Sequence, residues 1–427
     1  MKRQFTTYAI TDFGGTKKRM LEWLNQFSIF CFLDNHQYDF LSPSFECLAG
    51  AGVISSTDDS HGPPFARLGQ LVTAHADWTF GHLSYDLKNE IESLSSVHPD
   101  HINFSDLFFF VPEVVLLLNS RELKIGTFSK NHDEIFASIQ SSVPYKKTNS
   151  LPGITLKSRF SKTEYLETVK QLQNHIHHGD CYEVNFCQEF YAENSEITPS
   201  EIYRNLSAIS PNPFAAFYKV NEQYLVSGSP ERYLKKTGNM IYAQPIKGTA
   251  KRGAGANDDD QQKKILYASK KDRAENVMVV DMVRNDLSKI CKKNSVKVDE
   301  LFGIYSFPQV HQMISTISGE LETGKTFSDI IGSTFPMGSM TGAPKKRVME
   351  IIEKYERSKR GLFSGSVGYI SPEGDFDFNV VIRSIFYNAV TKYISLQAGS
   401  AITFSSEPEE EYKECLLKAE AMKKALE

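Results

Sequence analysis

The chain of 427 residues carries 48 Lys and Arg against 52 Asp and Glu, a formal net charge of −4, with 41% hydrophobic and 23% charged residues. This make-up suits a globular protein with apolar material for one large core or about three ordinary ones. A near-neutral balance without a long basic block argues against phosphate-backbone binding, so no nucleic-acid partner is expected.

From about residue 5 to 127, short apolar runs (Ile29 to Leu33, Leu107 to Val111, Val114 to Leu118) alternate with polar turns, and residues 1–128 read as a mostly β region. The opening Met1-Lys2-Arg3-Gln4-Phe5 is polar, and no secretory signal is expected. The most apolar stretch, Leu107 to Leu118, is broken by Pro112-Glu113 and falls short of the ~20 residues a spanning helix needs. It predicts buried strand and no membrane contact. The six cysteines, at 31, 47, 181, 187, 291 and 415, form no Cys-x-x-Cys pair, so neither a disulfide framework nor a zinc site is suggested and a reducing cytoplasm is expected.

Residues 129–158, polar and including Lys146-Lys147-Thr148-Asn149-Ser150, read as a connector to a catalytic region over 159–427. That region opens with a helix: Ser161 caps it with Glu164 three residues on, Tyr165, Val169, Leu172 and Ile176 form a stripe, and Gly179 ends it. His175, His177 and His178 on its last turn read as cations favouring a helix C-terminus rather than a metal cluster. Strands and turns follow from Phe186 to Ile246, then a polar loop from Lys251 to Lys264 in which Asp258-Asp259-Asp260 reads as solvated. Three more helices are predicted: about Asp259 to Ile290, Pro344 to Gly361, and Pro408 to the end.

Gly319-Glu320-Leu321-Glu322-Thr323-Gly324-Lys325-Thr326 matches the phosphate-loop pattern, but its carboxylates oppose anion binding and its spacer lacks further glycines. A strand end, a turn at Gly324 and a helix cap at Thr326 are expected instead.

Two acidic pairs, Asp272 with Glu275 and Glu411 with Glu414, each lie three apart on a predicted helix and so on one face. Converging carboxylate faces suit Mg²⁺; taken singly, each pair is an ordinary solvated face. Lys247, between proline and glycine in Gln244-Pro245-Ile246-Lys247-Gly248-Thr249, is either an exposed cation or a desolvated amine able to act as a nucleophile. Glu231 follows a tight turn in Ser227-Gly228-Ser229-Pro230-Glu231-Arg232, where a general acid could stand. Gly338 to Lys345 is a small-residue loop opening a helix, and Arg383 is a candidate carboxylate fork.

In this order these motifs resemble the chorismate-utilising enzymes, the family of anthranilate synthase component I, aminodeoxychorismate synthase component I and the isochorismate synthases. The likeness runs from about residue 160 to the C-terminus. It includes Gly179-Asp180-Cys181-Tyr182, Pro245-Ile246-Lys247-Gly248-Thr249, Asp272-Arg273-Ala274-Glu275-Asn276, His311, Ile382-Arg383 and Glu411-x-x-Glu414. Family members that carry lysine at the position of Lys247 are aminodeoxychorismate synthases, whereas alanine there marks the other activities. The resemblance therefore implies amination of chorismate at ring carbon 4.

It further implies an α+β fold of two interleaved subdomains, antiparallel sheets packed as a sandwich with helices outside. Lys247 would attack ring carbon 2 while Glu231 protonates the leaving hydroxyl, and ammonia would then displace the lysine. This requires a neutral Lys247 and a protonated Glu231. His311 is assigned to orienting the ring or the acid. Thr249, Thr341, Gly342, Tyr369, Arg383, Gly399 and Lys418 would hold the substrate. Glu275 and Glu414, with Glu411 and Asp272 beside them, would hold Mg²⁺. No cysteine lies in a glutaminase nucleophile turn, so ammonia is expected from a separate glutamine amidotransferase subunit, and a second enzyme is expected to complete 4-aminobenzoate. The rival readings are anthranilate synthase chemistry and a non-catalytic regulatory subunit that binds chorismate or an amino acid. Phe32-Leu33-Asp34-Asn35 departs from the family's Leu-Leu-Glu-Ser tryptophan segment, and tryptophan binding is not expected.

Overall fold

The computed structural model describes residues 2–39, 44–143 and 153–427. Two large antiparallel sheets dominate them. The first runs, in spatial order, Gln4–Ala9, Glu122–Thr127, Val114–Leu118, Cys47–Ala51, Ile29–Asp34, Phe214–Val220, Gln223–Ser229, Ser384–Asn388, Tyr393–Ile402, Glu183–Ala192 and Gly342–Ala343. The second runs Ile246–Lys251, Val310–Glu320, Met240–Gln244, Arg232–Thr237, Phe376–Asn379, Ser366–Ile370, Thr79–Leu83, Leu107–Val111 and Ser55–Ser56. Early and late strands pair in both. Ile29–Asp34 lies beside Phe214–Val220 in the first, and Thr79–Leu83 beside Ser366–Ile370 in the second.

The side-chain period of two explains the layering. Cys31 and Leu33 enter the core between the sheets, where Ala216, Leu225 and Phe386 of the first sheet join Phe80, Leu234, Ile317 and Val367 of the second. Phe30 and Phe32 enter the outer core, under the helices Lys162–His177, Pro199–Ile209 and Pro408–Ala425. The architecture is α+β, a sandwich of interleaved halves with helices outside.

Pro112-Glu113 marks a change of sheet. Leu107–Val111 pairs with Thr79–Leu83 in the second sheet, and Val114–Leu118 with Cys47–Ala51 in the first. Proline has no N–H for a ladder, and Arg3 donates to the carbonyls of Pro112 (2.6 Å) and Glu113 (3.0 Å).

The expected Lys162–His177 helix is present, with a Ser161–Glu164 capping box. The phosphate-loop lookalike is a strand end, a left-handed Gly324 (φ +87°) and a Thr326 cap. The helix expected to end at Gly361 stops at Tyr355.

Two expectations need correction. Asp259 to Ile290 is two helices, Ala256–Ala268 and Lys270–Ser288. They part at Ser269, which is extended (ψ 113°) and caps the second helix by accepting from Asp272 N. Asp258-Asp259-Asp260 is not a solvated loop: it belongs to the first of these helices, where acids suit the N-terminal dipole, and Asp259 is buried against Arg252 and His311. The "mostly β" and connector segments also hold helices, among them Phe13–Leu24, Pro64–Ala74 and His132–Ser141. Lys146 to Ser150 fall outside the described residues.

Candidate active site

Two neighbouring segments carry the chain between the sheets, and each bears a charged residue. Ser229-Pro230-Glu231 leads from Gln223–Ser229 to Arg232–Thr237, and Val380 to Arg383 leads from Phe376–Asn379 back to Ser384–Asn388. They are laced together: Val380 N donates to Glu231 O at 3.0 Å, Gly228 N to Arg383 O at 3.1 Å, and Ser229 Oγ to Val380 O at 2.6 Å. Glu231 is 4% exposed, and burial pushes its carboxyl up to about 7, despite a hydrogen bond with Ser339 and the nearby charge of Lys247. It is therefore substantially protonated at neutral pH, as a proton donor must be.

Arg383 takes a left-handed backbone (φ +50°), and burial lowers its guanidinium pKa while Glu231 raises it. Among the described residues its side chain has no hydrogen bond or ion pair. An enclosed, unpaired guanidinium is a ready fork for a carboxylate.

Lys247 lies on Ile246–Lys251, the edge strand of the second sheet, where the register slips between Ile246 and Thr249. Gly248 occupies that irregularity with φ +99°, and a Cβ there would come 3.0 Å from the Cβ of Asp272. Glycine thus lets the strand lie against the Lys270–Ser288 helix, which carries Asp272 and Glu275. The Lys247 ammonium lies 2.5 Å from Glu183 Oε1, with its side chain 10% exposed and that of Glu183 3% exposed. Burial works to lower the lysine's pKa, but Glu183, Glu275 and Glu231 outweigh it and the pKa is raised. The neutral amine expected from the sequence is corrected: the lysine rests as an ammonium, because the pocket is acidic as well as dry.

Glu183 was not foreseen. It begins the Glu183–Ala192 strand, one residue beyond the Gly179 to Tyr182 motif, opposite Ala343. Gly342 (φ +141°) passes so close that a Cβ would meet Glu183 O at 2.0 Å. Thr341 is buried and spends its hydroxyl on Met337 O at 3.2 Å. Gly399, opposite Cys187, would likewise clash with Phe186 O at 1.9 Å if it carried a Cβ.

Two helices bring up the carboxylates. Glu411 is buried and accepts from Ser406 Oγ at 2.7 Å; Lys271 Nζ lies 3.4 Å from Glu411 and 3.9 Å from Glu275. Lys271, also unforeseen, joins Glu275 on one helix to Glu411 on the other. Lys418 pairs with Glu414 at 2.8 Å, which lowers that carboxyl's pKa, and donates to Gly399 O at 3.0 Å. Burial raises Glu275 to about 7, helped by the charges of Glu183 and Glu414, and its Oε1 is buried and accepts no hydrogen bond among the described residues, Lys271 standing off at 3.9 Å.

No three His, Cys, Asp or Glu side chains among the described residues form a ready metal-ligand group. Mg²⁺ asks less: it keeps several waters and takes one or two carboxylates. The orphaned Glu275 oxygen, with Glu414 nearby, fits that demand. Asp272 packs against Gly248.

Other predicted residues make contacts of their own. Both ring nitrogens of His311 are engaged, Nε2 with Asp259 at 2.9 Å and Nδ1 with Ser306 at 3.0 Å, rather than with Glu231. Thr249 is exposed opposite Gln312. Tyr369 is buried in an aromatic cluster, its ring 5.2 Å from Phe45 and 5.5 Å from Trp78, because it shares the sheet with Phe80. Asp34 and Asn35 line a separate cavity with Arg232 and Asp377, and Asp34 is paired with Lys17 at 2.8 Å.

The model of a chorismate binding enzyme family matches residues 37–424. The chain is 32% identical to aminodeoxychorismate synthase component 1 of Bacillus subtilis and 34% identical to that of Escherichia coli, in each case across 81% of this chain and 76% of the relative. It is also 32% identical to anthranilate synthase component 1 of Thermus thermophilus, over 81% of this chain and 77% of the relative. Anthranilate synthase component I from Streptococcus pneumoniae superposes with a TM-score of 0.75 at 23% identity, covering 98% of this chain and 92% of the other. The menaquinone-specific isochorismate synthase of Escherichia coli also superposes with a TM-score of 0.75, at 17% identity, covering 100% and 95%. The chain belongs to the chorismate binding enzymes.

Proposed function

We propose that the chain aminates chorismate at ring carbon 4, the aminodeoxychorismate synthase reaction, with ammonia from a separate glutamine amidotransferase. The observation that carries this reading is the pairing, within one buried site, of a lysine, Lys247, with a carboxyl raised far enough to donate a proton, Glu231. The similarity to aminodeoxychorismate synthase components supports it.

Arg383 receives a substrate carboxylate. Lys247 Nζ, once free of its extra proton, bonds to ring carbon 2 as the ring double bonds shift and the carbon 4–oxygen bond breaks. Glu231 protonates the departing hydroxyl, which leaves as water. Ammonia then bonds to carbon 4, the double bonds shift back, and the lysine leaves as an amine; Glu231 recovers a proton from the new ammonium. Covalent attachment divides one difficult substitution into two easier ones. Glu275 and Glu414 would hold Mg²⁺, which when bound supplies Lewis-acid polarisation and charge for a substrate carboxylate.

The test is incubation with chorismate, Mg²⁺ and ammonium. It should yield 4-amino-4-deoxychorismate without anthranilate; strong anthranilate fluorescence with no added lyase would overturn the reading in favour of anthranilate synthesis. Chorismate that binds but is never consumed would favour a regulatory subunit.

A further inference from the structure

We infer that Glu183 is the base that takes the proton from Lys247 before the lysine attacks. The inference rests on the amination reading and assigns a residue that none of the site motifs includes.

A lysine held as an ammonium has no lone pair, so the reaction cannot start until one proton leaves. Glu183 Oε1, 2.5 Å from Nζ, is the group in direct contact with that proton, and the pair is shielded from solvent. Glu275 and Glu231 also bear on Lys247 by charge, yet the structure gives neither a hydrogen bond to its ammonium. Glu231 has the opposite duty, since it must donate.

The backbone fixes the contact. Glu183 starts a strand whose partner segment, through Gly342, packs tightly on its carbonyl, which fixes the backbone from which the carboxylate reaches Lys247. Two charges in contact in a dry site can neutralise each other by moving one proton across 2.5 Å. When substrate enters and displaces remaining water, the charged pair loses solvation and the neutral pair gains. Glu183 then holds the proton as a carboxylic acid, the amine attacks, and the proton returns to the lysine when ammonia expels it. Over the cycle, chorismate and ammonia give aminodeoxychorismate and water, and Glu183, Glu231 and Lys247 all regain their starting protons.

The test is Glu183→Gln, which keeps the shape but accepts no proton, assayed with chorismate, Mg²⁺ and ammonium from pH 6.5 to 9.5. At neutral pH turnover should fall roughly 10²–10⁴-fold, the range of general base catalysis, with chorismate KM changed less than about threefold. The ratio of variant to wild-type turnover should rise with pH and then level off, because the variant relies on the free-amine fraction of a lysine whose pKa falls once Glu183's charge is gone. A purely structural role gives a flat ratio, and a variant as fast as wild type removes the base; either result overturns the inference. Glu183→Asp should keep the wild-type pH profile at reduced turnover, which provides a reading if the Gln variant does not fold; an Asp variant with a rising profile also counts against it. Failure of the amination reading shows separately, as anthranilate from the wild type or as full turnover by Lys247→Ala.

Discussion

Lys247 Nζ and Glu183 Oε1 lie 2.5 Å apart, from the edge strand of one sheet to the first residue of a strand in the other. The contact joins the two sheets at the candidate site, and it favours the ammonium form of Lys247. An ammonium is stable there chiefly because the Glu183 carboxylate lies in contact with it; a carboxylic acid is stable at Glu231 because burial outweighs the nearby cations.

Glu231→Gln should reduce amination by roughly 10²–10⁴-fold. With a carboxyl raised to about 7, the wild type has its acid protonated at lower pH and loses it as pH rises through 7. The pH–rate profile of the wild type should fall on that side, and the variant's residual activity should lack the fall at that position.

The same shift has a thermodynamic sign. A carboxyl raised from about 4.3 in the unfolded chain to about 7 in the fold adds stability that is complete below 4.3 and is lost as pH rises through 7. Relative to Glu231→Gln, the wild type should therefore lose up to about 3 kcal/mol between pH 4 and 8. Denaturant titrations of both proteins across that range measure it.

Arg383→Met removes a guanidinium that has no hydrogen-bond or ion-pair partner among the described residues. Chorismate KM should rise on the order of 10–100-fold, as for the loss of a charged hydrogen bond worth about 1.5–3 kcal/mol, while Tm should not fall. A fall in both would mean the arginine supports the fold instead.

Mg²⁺ should raise the Tm of the wild-type protein, since a ligand bound only to the folded state stabilises it. Glu275→Gln, which keeps the size of the side chain and removes its charge, should abolish most of that shift. Differential scanning fluorimetry with and without Mg²⁺ reads this without any turnover.

Much of the fold and part of the site could be read from the sequence, for identifiable reasons. The Ser161–Glu164 box, Gly324 and the Pro112 break each act within a few residues, so their local chemistry was enough. Ser269 was missed because a single extended residue does not interrupt the apolar pattern on either side. Glu231, Lys247, Glu275 and Glu414 stood out through spacing and company. Glu183 and Lys271 did not, because only strand pairing and helix packing over long chain separations bring them to the site. The aromatic surroundings of Tyr369 were not legible for the same reason: Phe45 and Trp78, which pack against it, lie far away in sequence.

The central claim is that Lys247 forms the bond that precedes amination. Intact-protein mass spectrometry of the wild type and Lys247→Ala, mixed with chorismate and Mg²⁺ in the absence of ammonium, tests it most directly. A gain equal to chorismate less one water is expected on the wild type, mapped to Lys247 by peptide analysis, and no gain on the variant, whose ammonium-dependent turnover is also lost. An unchanged adduct on Lys247→Ala, or amination by that variant at the wild-type rate, would contradict it.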